Sequence, residues 1–168
     1  MGLTLPTYGI GAAGLGNLYQ AISDDDARAT LDHIRAAGFD YLDTAPHYGH
    51  GLSEQRLGDY FRQTGWRPHI TTKVGRVLKP VQGDMPDFGF IDPAPFVPTF
   101  DYSGEGIEAS FKSSQDRLGI ESVDALLLHD IGRLTHGDDH SRVLAQALAE
   151  SFPAMEGLKA SGKTQAIG

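Results

Sequence analysis

Cysteine is absent from this 168-residue chain, which excludes a disulfide framework, a thiolate metal site and a thiol nucleophile. Cationic side chains are scarce: fourteen lysines and arginines stand against twenty-two aspartates and glutamates, a formal net charge of −8. That balance opposes nucleic-acid phosphates and anionic lipid surfaces, and the basic residues are scattered rather than striped, so neither is an expected partner. Long apolar runs are also missing, and nothing approaches the ~20 residues that span a bilayer. The first residues hold no basic stretch followed by an apolar one, and Pro6 stands where a myristoylation motif wants Ser or Thr. The expectation is a soluble chain in the cytoplasm. No linker or low-complexity tract divides it, so residues 1–168 read as one domain with enough length for a single core.

What is present is an alternation of helix and strand signals. Ser23 opens a helix as a cap, with Asp24, Asp25 and Asp26 in its first turn and Ala27, Leu31 and Ile34 along one face. Gly38 closes it where a left-handed residue is wanted, and Tyr41 to Ala45 form a short strand stopped by Pro46. Ser53 is expected to cap a second helix carrying Leu57 and Phe61, followed by a β-branched strand from His69 to Val74. Ser103 begins a third helix with Ile107, Phe111 and Leu118, and Val123 to His129 is a near-continuous apolar strand. A last helical stretch runs from Ser141 to Lys163, with Pro153 expected to start a fresh helix after Ser151, and residues 164–168 end on a strand. With a first strand near Tyr8 to Ile10, the count is five strands and four helical connections, the pattern of a parallel α/β sheet. Residues 76–102 break the rhythm. They hold five of the nine prolines together with Phe88, Phe90, Phe96 and Phe100, and they read as a long loop, either a wall of a pocket or a packing insertion.

Asp43, Lys73 and His129 each fall at the carboxyl end of a different strand, and Tyr48 follows in the loop after Asp43. In parallel α/β proteins that rim is the ligand side. The four residue types suit proton transfer at a carbonyl or an alcohol. A phenol is a poor base at neutral pH, but an ammonium beside it favours the phenolate, and a carboxylate holds the ammonium charged. A histidine ring nitrogen can donate to the same oxygen. None of these groups delivers a hydride, so a redox role requires an external nicotinamide.

These residues carry a resemblance. The run Gly38-Phe39-Asp40-Tyr41-Leu42-Asp43-Thr44-Ala45-Pro46-His47-Tyr48-Gly49, with Thr72-Lys73-Val74-Gly75, Leu126-Leu127-Leu128-His129-Asp130, Ser53 to Gly58 and Arg117-Leu118-Gly119, resembles the aldo-keto reductases. Gly14 to Tyr19, the Pro- and Phe-rich segment and Thr135 to Asp138 are similar to the aldose dehydrogenases of that superfamily, a group that includes L-fucose, D-threo-aldose and pyridoxal 4-dehydrogenases. The resemblance implies a (β/α)8 TIM barrel, of which this chain supplies the N-terminal part. It implies NAD- or NADP-dependent interconversion of a carbonyl and an alcohol on an aldose or pyridoxal, with Tyr48 as general acid and base, and Asp43, Lys73 and His129 as the other catalytic residues. It places Gly11, Ala12 and Asp43 toward the nicotinamide end of the cofactor. A barrel of this kind usually needs at least ~200 residues, so five strands cannot close alone. The competing expectation is therefore a truncated half-barrel that only binds partners or associates with itself.

Two further patterns invite other readings. Gly9, Gly11 and Gly14 match a dinucleotide fingerprint, but no helix signal begins until Ser23, so a flexible first loop is expected instead. His136, Asp138, Asp139 and His140 read as a solvated loop rather than metal ligands, since no second cluster completes a shell. His47 and His50 read as pocket rim or plain loop, and His33 as helix surface.

Overall fold

The computed structural model describes residues 3–168, so Met1 and Gly2, which enter the reading of the N-terminus, lie outside it. Seven strands and six helices follow in chain order: β1 (Ile10–Gly11), α1 (Asp24–Ala36), β2 (Tyr41–Asp43), α2 (Leu52–Thr64), β3 (His69–Val74), β4 (Arg76–Pro80), β5 (Phe96–Phe100), α3 (Gly104–Leu118), β6 (Val123–Leu128), α4 (Arg133–His136), α5 (His140–Gln146), α6 (Phe152–Ala160) and β7 (Thr164–Ile167). Five strands form one parallel sheet in the order β1-β2-β3-β6-β7, the sequential arrangement of barrel staves. The outer strands β1 and β7 each have one neighbour in that sheet.

Local chemistry explains most of the helix ends. The Ser23 hydroxyl accepts the Asp26 N–H at 3.1 Å, and the Ser103 hydroxyl accepts that of Gly106 at 3.0 Å. Gly38 takes φ +80 after α1, and the N–H of Phe39 returns to the carbonyl of Ile34. The helices bury their apolar faces against one side of the sheet. Leu31, Leu57, Ile107, Phe111, Leu118 and Met155 meet Leu42, Ile70, Val74 and Leu126 in one core. Leu57 and Leu118 are fully buried, each stabilising the fold by roughly 1.5–3 kcal/mol. Among the described residues, no helix is long and apolar enough to cross a membrane.

Four expectations are corrected. The segment 76–102 is not a loop throughout, because β4 and β5 pair antiparallel from Arg76↔Phe100 to Pro80↔Phe96. Bonds from Val81 N–H to the Pro95 carbonyl and from Asp101 N–H to that of Gly75 put the ladder on odd-numbered residues of both strands. Pro80 and Pro98 fall between those bonds, where a missing N–H costs nothing, which is how a ribbon forms despite them. Ser53 is not a cap. It lies inside α2, whose flanking residue is Gly51, and it donates to the Ala12 carbonyl at 2.8 Å. The last helical stretch starts at His140, within a residue of Ser141, and α6 begins after Ser151 with Pro153 in its first turn, but the stretch ends at Ala160 rather than Lys163. A widened π turn at residues 147–151 carries α5 into α6, and Pro153 sits in the first turn after it, where its absent donor is least needed. Finally, β1 is Ile10–Gly11 rather than a segment starting at Tyr8.

Candidate active site

Side chains alternate across a strand, and the registers Asp43↔Thr71, Thr71↔Ala125 and Lys73↔Leu127 put Asp43, Thr71, Lys73 and Ala125 on the face away from the helices. The expected residues meet there. Lys73 Nζ donates to Asp43 Oδ1 at 2.7 Å, to the Thr44 carbonyl at 2.8 Å and to Tyr48 Oη at 3.1 Å, which uses all three of its donors. Its side chain is 12% exposed, so the ammonium is held by the carboxylate and a carbonyl in place of water. Just past the end of β6, His129 is 8% exposed, and its ring lies edge-on to that of Tyr48, the centroids 6.4 Å apart.

The backbone that presents Tyr48 is tightly constrained. Gly49, His50 and Gly51 are all left-handed, at φ +62, +56 and +100, and they turn the chain from Tyr48 into α2. A Cβ on Gly16 would stand 2.5 Å from the Tyr48 carbonyl carbon, and one on Gly49 would stand 2.4 Å from the Gly16 oxygen. Only glycine permits this approach of two backbones. The first loop is fixed in turn by Arg56, which donates to the carbonyls of Leu15 and Ile22 and to Asn17 Oδ1.

Sequence reasoning undervalued several neighbours. His47 and His50 are not plain loop. His50 is 1% exposed with no hydrogen-bond partner on either ring nitrogen, and His47 lies 5.9 Å from the His129 ring and 5.3 Å from that of Phe90. Phe88 and Phe90 come from the connection between β4 and β5. It is laid over the site by bonds between Ile91 N–H and the Asn17 carbonyl, Tyr19 N–H and Gly89, and Ala94 N–H and Gly49. The connection thus borders the site, with Phe90 packed and Phe88 half-exposed. His136, expected in a solvated loop, meets Tyr102 Oη at 3.0 Å and packs edge-on against Phe100. No signal in the sequence marked Arg76 or Tyr102, and Asp130 drew notice only as the residue after His129.

Burial sets the charge state of the imidazoles. It pushes His129 down to about 4, with Arg76 and Lys73 acting in the same direction and Asp130 against them. His47 is pushed down to about 3 by burial, assisted by Arg76 and the other two histidines. At neutral pH both rings are therefore uncharged and able to donate from one nitrogen. Asp130 is held below the usual carboxylate range: burial opposes this, but the Arg76 hydrogen bond and charge outweigh it.

At the first strand, Gly11 pairs with Asp43, and a Cβ there would meet nothing within 4 Å. The Ala12 N–H and carbonyl are already engaged, by the Asp43 carbonyl and the Ser53 hydroxyl. Gly11 therefore faces open space beside Asp43.

Comparison with known proteins bears on the family and the fold. The model of the Aldo/keto reductase family matches residues 8–168. A D-threo-aldose 1-dehydrogenase from Pseudomonas sp is 45% identical over 99% of this chain and 50% of its own length. A pyridoxal 4-dehydrogenase from Microbacterium luteolum is 40% identical over 99% of this chain and 52% of its own. A solved structure described as an aldo-keto reductase from Pseudomonas aeruginosa superposes with a TM-score of 0.72 at 28% identity, covering 99% of this chain and 56% of that one. The chain thus spans about half the length of the curated relatives it matches, as a five-stranded part of a TIM barrel. On the family match and the strand-end arrangement together, the chain belongs to the aldo/keto reductase family.

Proposed function

We propose that this chain carries the proton-handling half of an NAD(P)-dependent oxidoreductase that interconverts a carbonyl and an alcohol, with an aldose or pyridoxal as substrate. The observation that carries the reading is the triple contact of Lys73 Nζ with Asp43, the Thr44 carbonyl and Tyr48 Oη. In the oxidising direction Tyr48 Oη takes the proton of the substrate hydroxyl, and in the reducing direction it returns one. Lys73 stabilises the phenolate in between, and Asp43 keeps Lys73 charged and aimed. Neutral His129 donates to the substrate oxygen and orients it, and Phe90, packed beside the Tyr48 and His47 rings, limits access of water.

A bound nicotinamide supplies or accepts the hydride that no side chain here can carry. The open space at Gly11 beside Asp43 would leave room for it, whereas the Ala12 backbone has no free donor or acceptor to offer it. The names of the two curated relatives support the choice of an aldose or pyridoxal.

The test is turnover of L-fucose, D-threo-aldoses and pyridoxal with NAD and with NADP, followed as nicotinamide absorbance. Tyr48→Phe should reduce kcat/KM by at least ~100-fold, and undiminished turnover in that variant refutes the assignment. A second reading, association without turnover, draws on the single-neighbour edges of β1 and β7. Sedimentation or size exclusion together with nicotinamide binding separates the two: a self-associating chain that binds no nucleotide supports the second.

A further inference from the structure

One group beside the site has no part in the chemistry above. Asp130 follows β6 in left-handed backbone, φ +57, an uncommon and costly state for a residue with a side chain. The β4–β5 ribbon holds it there from both ends. From the start of β4, Arg76 Nη2 donates to Asp130 Oδ2 at 2.6 Å. Just past β5, Tyr102 Oη shares its proton between the carbonyls of His129 at 2.8 Å and Asp130 at 3.2 Å. Arg76 is itself fixed: its guanidinium lies 4.1 Å from the centre of the Phe100 ring, and its carbonyl accepts the Ser110 hydroxyl of α3. The side chain of Arg76 is 8% exposed and that of Asp130 is 41% exposed, so the carboxylate spans from the buried ring to the open site.

The same Oδ2 lies 3.4 Å from His129 Nε2, while His129 Nδ1 is buried with no partner. The two atoms are close without being hydrogen-bonded, and the negative charge beside Nε2 favours the tautomer with the hydrogen on Nε2 and the lone pair on Nδ1. A lone carboxylate at this distance does more than bias the tautomer, because it favours imidazolium. The pocket already holds the Lys73 ammonium on β3, with Tyr48 and His47 facing from the turn after β2, so a second cation there would compete for the phenolate.

We propose that Asp130, clamped by Arg76, is a positioning residue for His129: the nearby carboxylate biases the ring proton onto Nε2 without accepting it, which leaves the Nε2–H free for the site, and the guanidinium offsets the carboxylate so that the ring stays a neutral donor. The assignment rests on the proposed role of His129, but its test reads a proton rather than turnover and so fails or succeeds separately.

Histidine side-chain resonances of the full chain are titrated by NMR alongside Arg76→Gln, Asp130→Asn and Arg76→Lys. Arg76→Gln should raise the His129 midpoint by about one pH unit or more, a tenfold gain in protonation. Asp130→Asn should keep the ring neutral to lower pH than in the unchanged chain, and adding it to Arg76→Gln should reverse the rise. Arg76→Lys, which keeps the cation, should leave the midpoint in place and carries the test with Asp130→Asn if Arg76→Gln does not fold. An unmoved His129 in Arg76→Gln, a rise in Asp130→Asn, or a rise in Arg76→Lys equal to that in Arg76→Gln overturns the proposal.

Discussion

Acid should weaken this fold through His129, and the size of the effect follows from its burial. In the unfolded chain the ring takes a proton near pH 6.5, whereas in the folded chain burial delays this to about 4. Above pH 6.5 both states carry a neutral ring and nothing is lost. As pH falls below 6.5 only the unfolded state gains the proton, so stability declines until the folded ring also titrates. At ~1.36 kcal/mol per pH unit, the full window is worth about 3 kcal/mol, and about 2.5 kcal/mol of it has gone by pH 4.5. Against the ~5–15 kcal/mol of an ordinary domain that is a large share. His47 acts in the same direction, trimmed by its partial exposure. The measurement is urea unfolding at pH 7.5 and 4.5 of the chain and of His129→Gln, whose amide side chain does not titrate. The carboxylate contributions are common to both and largely cancel. The unchanged chain should lose about 2.5 kcal/mol more than the variant between the two conditions. Equal losses would show that His129 is not held neutral by its surroundings, and the donor role assigned to it would fall with that.

Three more outcomes are expected. Glu54 is fully buried, accepting from Thr72 and Arg117, so Glu54→Ala strands a guanidinium and should cost about 3–5 kcal/mol in the denaturant midpoint. Ser103→Ala removes the hydroxyl that accepts the Gly106 N–H, and about 1 kcal/mol should be lost in a thermal melt. Ser53→Ala has no cap to lose; its cost of about 1 kcal/mol should come from the lost bonds to the Ala12 carbonyl, which keeps the Leu15 N–H, and to the Thr44 hydroxyl. If Ser53→Ala is neutral while Ser103→Ala is not, the bond to Ala12 contributes nothing.

What was legible in the sequence was what short-range chemistry decides. Ser23, Ser103 and Gly38 act on groups within a few residues, so their roles could be read without knowing the fold. The meeting of Asp43 and Lys73 was legible because consecutive parallel strands share one rim, and a period of two fixes which side chains face it. The β4–β5 ribbon was not, since its pairing depends on partners up to 24 residues apart and its prolines mask the strand pattern at positions where they do no harm. The burial of His50 was equally hidden, because Phe88 and Phe90, which cover it, lie nearly 40 residues further along. Ser53 resembled a cap by position alone; only the fold brings the Ala12 carbonyl within its reach.

The contact between Gly16 and Gly49 sets how the first loop and the Tyr48 turn are spaced, and with them the two halves of the reaction proposed above. One glycine belongs to the loop on which a nicotinamide would lie, the other to the turn that carries the tyrosine, and their main chains touch with no side chain to yield between them. The spacing of that loop and that turn is therefore gauged by peptide against peptide. A methyl at either position would act as a shim, shifting Tyr48 against Lys73 while every reacting group stayed chemically intact.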